Sequence, residues 1–244
     1  MKALPVQQLP AGDWLHEIKF DGYRALAFKN GKDVRLVSRN EKAFDYPQLI
    51  DALKLLSAER VILDGEIAAL DEKGRSSFQL LQVFKSSGVA PLVYYVFDLL
   101  FLEGKDLQKE PLTVRRKLLA QVLKKAPENI RLSDELRGTK NELVRVAQEF
   151  GLEGLVAKKP NSVYESGRRS GAWVKFKITK SQEFVIGGYT LPQGGVNISV
   201  LCSLATKEYR DLCMPAESTL VFRIRSWRIS MRNFKDLRCP LVPL

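Results

Sequence analysis

The sequence predicts an α+β protein made of antiparallel sheets with helices packed outside them. Three observations carry this expectation. The chain opens strand-rich, from Trp14 to Phe28 and again from Val34 to Ser38, and Asn30-Gly31 between these runs has the chemistry of a tight hairpin. After a helical stretch at Tyr46 to Ala58, apolar strand-like runs and helical periodicity alternate to residue 178. The later helical segments are amphipathic with basic outer faces, as expected of helices laid on a sheet.

In order, Val61 to Leu70 reads as a strand and Phe78 to Lys85 as a helix, followed by a strand at Leu92 to Phe97. Thr113 to Lys125 and Lys140 to Phe150 read as helices, and Gly154 to Lys158 and Ala172 to Ile178 as short strands. No internal repeat or low-complexity segment interrupts this series.

With 244 residues, 45% of them hydrophobic and 27% charged, the chain has enough apolar surface for a sizeable core and reads as soluble. No secretory signal or membrane span is expected, which fits a reducing cytoplasm. Three cysteines without metal-ligand spacing, and His16 as the sole histidine, argue against a disulfide scaffold and a zinc site. A net charge of +11, spread along the chain, predicts a polyanionic partner gripped through its backbone, with salt-dependent affinity.

The chemistry concentrates in Lys19-Phe20-Asp21-Gly22-Tyr23-Arg24. A lysine amine attacks phosphorus only when deprotonated, so its usual pKa of about 10.4 must fall, and neighbouring cations achieve this. Arg24, Lys158, Lys175 and Lys177 are the candidates to crowd Lys19 and to hold a triphosphate. Lys175 and Lys177 alternate around Phe176 and so share one face of a strand. Glu66 and Glu153 lie beside short apolar strands, where two carboxylates and phosphate oxygens make a site for Mg²⁺ or Mn²⁺. Read alone, Glu66 is equally a capping or hairpin acid, Phe97 a core aromatic, Lys19 a solvated strand lysine and Asp21-Gly22 a turn.

Taken together, Glu17 to Arg24, Ser38-Arg39-Asn40, Leu63-Asp64-Gly65-Glu66, Tyr94 to Asp98, Glu153 to Lys158 and Trp173 to Lys177 resemble, in order, the motifs of the adenylation domain of ATP-dependent DNA ligases, nearest to the ligase module of bacterial DNA ligase D. The resemblance implies a nucleotidyltransferase (ATP-grasp-like) fold and a lysyl-AMP formed on Lys19. It places Glu17 and Ile18 along the adenine edge, Phe97 against the adenine face, and Arg24 and Arg39 on ribose, phosphates or a DNA 5′-phosphate. ATP and a divalent metal on Glu66 and Glu153 are the implied cofactors. Nicked or broken double-stranded DNA is the implied substrate, with a Ku-like end-joining protein as partner. Trp173 is expected in the core beside the site. RNA ligases and capping guanylyltransferases use the same lysine chemistry, and a catalytically dead DNA-end-binding relic is the non-enzymatic alternative.

The expected organisation is an adenylation domain over residues 1–180 and the start of an oligonucleotide-binding (OB) barrel over 181–195. From 196 to 244 an aberrant, poorly folded tail is expected. Cys202, Cys213, Cys239, Met214 and Met231 all fall in that tail. Read one base earlier with suitable codons, two of its segments spell strings resembling barrel strands of the family. This makes a frameshift near residue 196 the expected cause and puts sealing by this chain in question.

Overall fold

The computed structural model describes residues 1–87 and 90–178, and beyond them three strands. In chain order the elements are β1 (Leu4–Val6), β2 (Leu15–Ile18), β3 (Tyr23–Asn30), β4 (Asp33–Ser38), β5 (Ala43–Phe44), α1 (Pro47–Lys54), β6 (Arg60–Ala69), α2 (Phe78–Ser87) and β7 (Leu92–Leu102). They continue with β8 (Lys105–Asp106), α3 (Leu112–Val122), β9 (Ile130–Leu132), α4 (Lys140–Glu149), β10 (Gly154–Lys158) and β11 (Trp173–Lys177). Strands β12 (Val185–Thr190), β13 (Ser199–Ala205) and β14 (Leu220–Arg223) follow.

The expected Trp14 to Phe28 run is two strands in two different sheets. β2 is an edge of a four-stranded sheet ordered β1-β11-β10-β2, whereas β3 lies inside a larger sheet ordered β5-β4-β3-β6-β7-β8, with β9 joined to β7. Lys19 to Gly22 is therefore the crossing between sheets and not a hairpin turn. Asp21 works at this crossing as a cap: its carboxylate accepts from the Phe78 amide (3.0 Å) at the start of α2, and its own amide donates to Ser76 Oγ (3.0 Å). Gly22 permits the close approach, since a Cβ there would sit 2.1 Å from the Ile67 carbonyl oxygen.

The hairpin between β3 and β4 forms as expected, with Asn30 opposite Asp33 and Gly31 in the left-handed region at φ 59°. Most pairings are antiparallel, but β1 on β11 and β9 on β7 are parallel. Both parallel partners are far apart in sequence, so no tight turn fixes their direction. β7 continues past Phe97 to Leu102 because Phe101 and Leu102 keep pairing with Ile62 and Val61.

α1, α2 and α3 bury one face of the larger sheet around Leu49, Leu63, Tyr94, Leu99 and Leu119, and α4 covers the smaller sheet through Leu143, Ala147, Leu155 and Val174. A third cluster of Met1, Leu112 and Trp173 also draws in Phe97 and Tyr164. One expectation fails on α3, whose basic residues do not all face outward. Arg115 is fully buried in a two-pronged pair with Asp98 (2.7 and 2.9 Å), because a carboxylate on the central strand β7 needs a cation once the helix covers it.

α4 begins with a capping box: the Thr139 hydroxyl accepts from the Glu142 amide (3.4 Å) and the Glu142 carboxylate accepts from the Thr139 amide (2.7 Å). Thr139→Ala is expected to lower unfolding free energy by about 1 kcal/mol. Urea denaturation checks this, and an unchanged midpoint would show that tertiary packing alone fixes this helix end.

The chain divides into two units, Met1–Thr179 and Lys180–Leu244. In the second, β12, β13 and β14 pair antiparallel in that order, with a register shift between Ile186 and Gly188. The remaining residues of the expected barrel start and tail lie outside the described residues.

Candidate active site

The crossing from β2 to β3 places Lys19 over a cavity of about 170 Å³. Its walls include Glu17, Ile18, Lys19, Arg24, Arg39, Glu66, Phe97, Lys158 and Lys175, nine of the side chains expected at the site. Two further ones lie alongside: Glu153 pairs with Lys19, and Lys177, exposed at the edge, reaches Glu153 at 3.2 Å. The Lys19 amide is fixed by the Gly154 carbonyl (3.0 Å) and the Ile178 amide by the Glu153 carbonyl (3.0 Å), so backbone bonds around β10 and β11 hold Lys19 and Glu153 together.

The cations divide into two groups. Arg24 is held by Asp64, Nε to Oδ1 at 2.9 Å and Nη2 to Oδ2 at 2.5 Å, while its Nη1 donates to the Met1 carbonyl at 2.6 Å. Burial alone would lower the Arg24 pKa, but the Asp64 charge and hydrogen bonds overcome it and raise it. The guanidinium therefore gives the wall a fixed charge but has no free fork for a phosphate. Tyr164 completes this cluster by donating to Asp64 at 2.8 Å. Gly65 lets β6 and β7 pack here, since a Cβ would fall 2.5 Å from the Tyr95 carbonyl oxygen.

Lys158 is likewise interior. It donates to both Glu17 oxygens (2.8 and 2.9 Å) and lies 4.5 Å from the Phe97 ring centre and 4.4 Å from that of Trp173. Burial pushes its pKa down despite Glu17. Glu17 also accepts from Arg116 (2.6 Å) and Ser133 Oγ (2.7 Å), so the carboxylate expected along the adenine edge is saturated by its own protein. The wall near Phe97 is thus a salt-bridged block behind an aromatic ring.

The second group faces outward. Arg39, on the turn after β4, is displayed by Glu41 in the left-handed region (φ 59°) and by the Glu41 amide on the Ser38 carbonyl (2.9 Å). Lys2 and Arg169 also line the cavity. Neither was expected from sequence, since both lie outside the six motifs; the Arg168-Arg169 pair was the available signal. Lys175 has its pKa lowered by burial and then by Lys19, Lys177, Arg169 and Arg39. The mouth is therefore an unneutralised cluster that an incoming polyphosphate would relieve.

Trp173, expected in the core, is 2% exposed yet touches the cavity, set edge-on to Phe97 at 5.9 Å. Glu66 lies within β6 and not after a strand, directly opposite Arg24 on β3.

Burial is the main reason the Glu66 carboxyl titrates at about 8, above its ordinary 4.5, against the pull of Arg24 and Lys19. Between these values the folded protein keeps a proton that the unfolded chain has released. This stabilisation is complete below pH 4.5 and is lost as pH rises toward 8. Glu66→Gln is therefore expected to raise the melting temperature by roughly 3–8 °C at pH 8.5 and to leave it unchanged at pH 4.5. Equal melting shifts at both pH values would contradict the assignment.

Among the described residues no cluster of three metal-type ligands occurs, so the carboxylates alone make no closed metal site. Glu66 and Glu153 nonetheless suit a hard divalent cation whose remaining positions are filled by phosphate oxygens, because Mg²⁺ commonly takes only one or two carboxylates beside a nucleotide.

A buttressed lysine, an aromatic wall and a cationic mouth lie together at a cavity between two sheets, an arrangement whose charge suits a polyphosphate. Sequence comparison agrees: a profile described as "ATP dependent DNA ligase domain" matches residues 3–177. The chain belongs to the ATP-dependent DNA ligase family. It is 41% identical over 193 residues to the multifunctional non-homologous end joining protein LigD of Pseudomonas aeruginosa, covering 78% of this chain and 23% of that protein. To LigD of Mycobacterium bovis it is 36% identical over 242 residues, 98% of this chain and 30% of that protein. A mycobacterial DNA ligase D structure complexed with ATP and MES superposes with a TM-score of 0.62 at 30% identity, covering 82% of this chain and 67% of that one. The chain thus spans less than a third of the length of these two curated relatives.

Proposed function

We propose that this chain carries the adenylation chemistry of a DNA ligase acting in DNA end joining, on nicked or broken duplex DNA. The observation that carries the reading is Lys19 at the sheet crossing, paired with Glu153 and facing a mouth lined by Arg39, Arg169 and Lys175. The Lys19 amine attacks the α-phosphorus of ATP: an N–P bond forms, the bond to the bridging oxygen breaks, pyrophosphate leaves, and the lysine proton passes to Glu153 Oε2. The mouth cations hold the phosphates and stabilise the charge that develops on them. Phe97, backed by the Lys158–Glu17 block, offers its face to adenine. Glu66 and Glu153 would hold Mg²⁺ or Mn²⁺, which when bound would neutralise the triphosphate. AMP then passes to a DNA 5′-phosphate, and a 3′-hydroxyl displaces it to seal the strand. Recruitment by a Ku-like protein and residence near the bacterial nucleoid belong to the same reading.

The same proposal assigns residues 1–180 to adenylation, 181–195 to the start of an OB barrel and 196–244 to a tail altered by a frameshift. The family match ending at residue 177 and the first alignment stopping after 193 residues support it. The alignment spanning 242 residues weighs against an early end to the likeness, and sequencing the locus decides.

The test of the enzymatic reading is incubation of the purified chain with Mg²⁺ and α-labelled ATP or GTP, a denaturing gel, and a chase with nicked duplex. ATP-derived label that moves to DNA is expected. Label from GTP alone overturns the ligase reading in favour of a capping-type enzyme; with no label from either nucleotide, pre-adenylated nicked DNA separates a ligase that has lost its first step, which still seals it, from an end-binding relic, which does not.

A further inference from the structure

Phe20, the residue after Lys19, stands between two spaces. Together with Ile18 it lines both the nucleotide cavity and a second chamber of about 320 Å³, whose walls include Leu132, Leu136, Leu143 and Leu152. Tyr95 on β7 lines the second chamber and not the first. The Phe20 and Tyr95 rings are stacked, with centres 3.9 Å apart and planes 10° from parallel, and both side chains are half-buried.

The crossing from β2 to β3 carries Lys19 and is anchored residue by residue. Toward the smaller sheet, the Lys19 amide donates to the Gly154 carbonyl (3.0 Å). Asp21 is held by Ser76 and the Phe78 amide, and Gly22 lies close against the Ile67 carbonyl. Between these points the Phe20–Tyr95 stack ties the crossing to β7. Register puts Tyr95 directly opposite Glu66, and Glu66 opposite Arg24, so the stack sets Lys19 against the row of the larger sheet that carries the fixed charge of the cavity. The chamber makes this contact matter: with the Tyr95 ring removed, the Phe20 ring has space to turn into, away from the cavity wall.

We propose that Tyr95 is a positioning residue for the covalent step: by stacking on Phe20 it holds the Lys19 amine where it meets the α-phosphorus, without itself touching the nucleotide. The inference rests on the adenylation reading of the site. Tyr95 acts through Phe20 because it lines only the far chamber, while Phe20 adjoins Lys19 in the chain and reaches both spaces. An attacking atom misplaced by about 1 Å can cost on the order of a hundredfold in rate. An aromatic pair contributes about tenfold, so its loss is felt at the amine and leaves the phosphate-binding mouth of Arg39, Arg169 and Lys175 in place.

The test follows self-labelling of the full chain by α-labelled ATP in a single turnover, as the maximal rate and as the ATP concentration that gives half of it. Tyr95→Leu is expected to lower the maximal rate about tenfold and to leave half-saturation within about threefold. Tyr95→Phe, which keeps the ring, should react like the parent. Phe20→Leu should lose rate to the same extent, and the double variant no more than either single, because both changes remove one stack. A parent-like rate in Tyr95→Leu, a loss confined to half-saturation, or single losses that multiply in the double variant would overturn the proposal. If Tyr95→Leu fails to fold, Phe20→Leu carries the same test, and a parent-like rate there overturns it. Amide hydrogen exchange over residues 19–22, measured without ATP, should quicken in Tyr95→Leu and Phe20→Leu but not in Tyr95→Phe. A parent that takes no label counts against the adenylation reading, and unchanged exchange in the two leucine variants then overturns the role of the stack independently.

Discussion

Lys19→Ala is expected to abolish covalent labelling by α-labelled ATP, and Lys19→Arg to do the same while keeping the charge. An arginine at this crossing could still pair with Glu153, but a guanidinium does not deprotonate at accessible pH and so is no nucleophile. The two variants therefore separate a cation that binds ATP from an amine that attacks it. In both, nucleotide binding measured without turnover should persist within about threefold, because Arg39, Arg169 and Lys175 remain at the mouth. Label in either variant above about 1% of the parent would assign the chemistry to another residue.

The second large effect concerns stability. Arg115 and Asp98 have no solvent exposure, and Arg115 Nη1 also donates to the carbonyls of Glu110 (2.5 Å) and Ser162 (3.0 Å). Arg115→Met removes the cation and leaves the Asp98 carboxylate in the interior with a hydrogen bond from the Leu99 amide (2.9 Å). The expected loss is about 3–5 kcal/mol. The double variant Asp98→Leu/Arg115→Met should recover much of it, since it removes both buried charges. Chemical denaturation of the two singles and the double forms the required cycle. A loss below about 1 kcal/mol in Arg115→Met would mean that water reaches the pair or that Asp98 takes up a proton at little cost.

Most of the active site was legible in the sequence for a chemical reason. A lysine flanked by glutamate, aspartate, glycine and arginine, followed by two separated carboxylates and an alternating lysine pair, resembles the motif set of one family in order, and the fold brings these residues to one cavity and its edge. Strand alternation similarly foretold that Lys175 and Lys177 share a face, and the Asn30-Gly31 hairpin formed because Gly31 accepts a positive φ at no steric cost.

Direction and partnership were not legible. Arg24, Lys158 and Lys175 look alike as letters, yet Arg24 is bound to Asp64 and Lys158 to Glu17, while Lys175 faces the mouth. That assignment depends on which carboxylate burial leaves in need of a cation, and these partners lie 40 and 141 residues away in the chain. Arg115 turned inward against the helical pattern for the same reason, and Lys2 and Arg169 joined the site only because the ends of the domain fold back over it.

By itself, then, the sequence determined the α+β class, which follows from local periodicity, and the family, which follows from six motifs in order. The tertiary structure alone decided which cations are consumed in the interior and which face the mouth. It also decided that Lys19 lies between two sheets. Charge pairing in a low-dielectric interior is a property of distances between remote residues, and those distances exist only once the sheets have closed on one another.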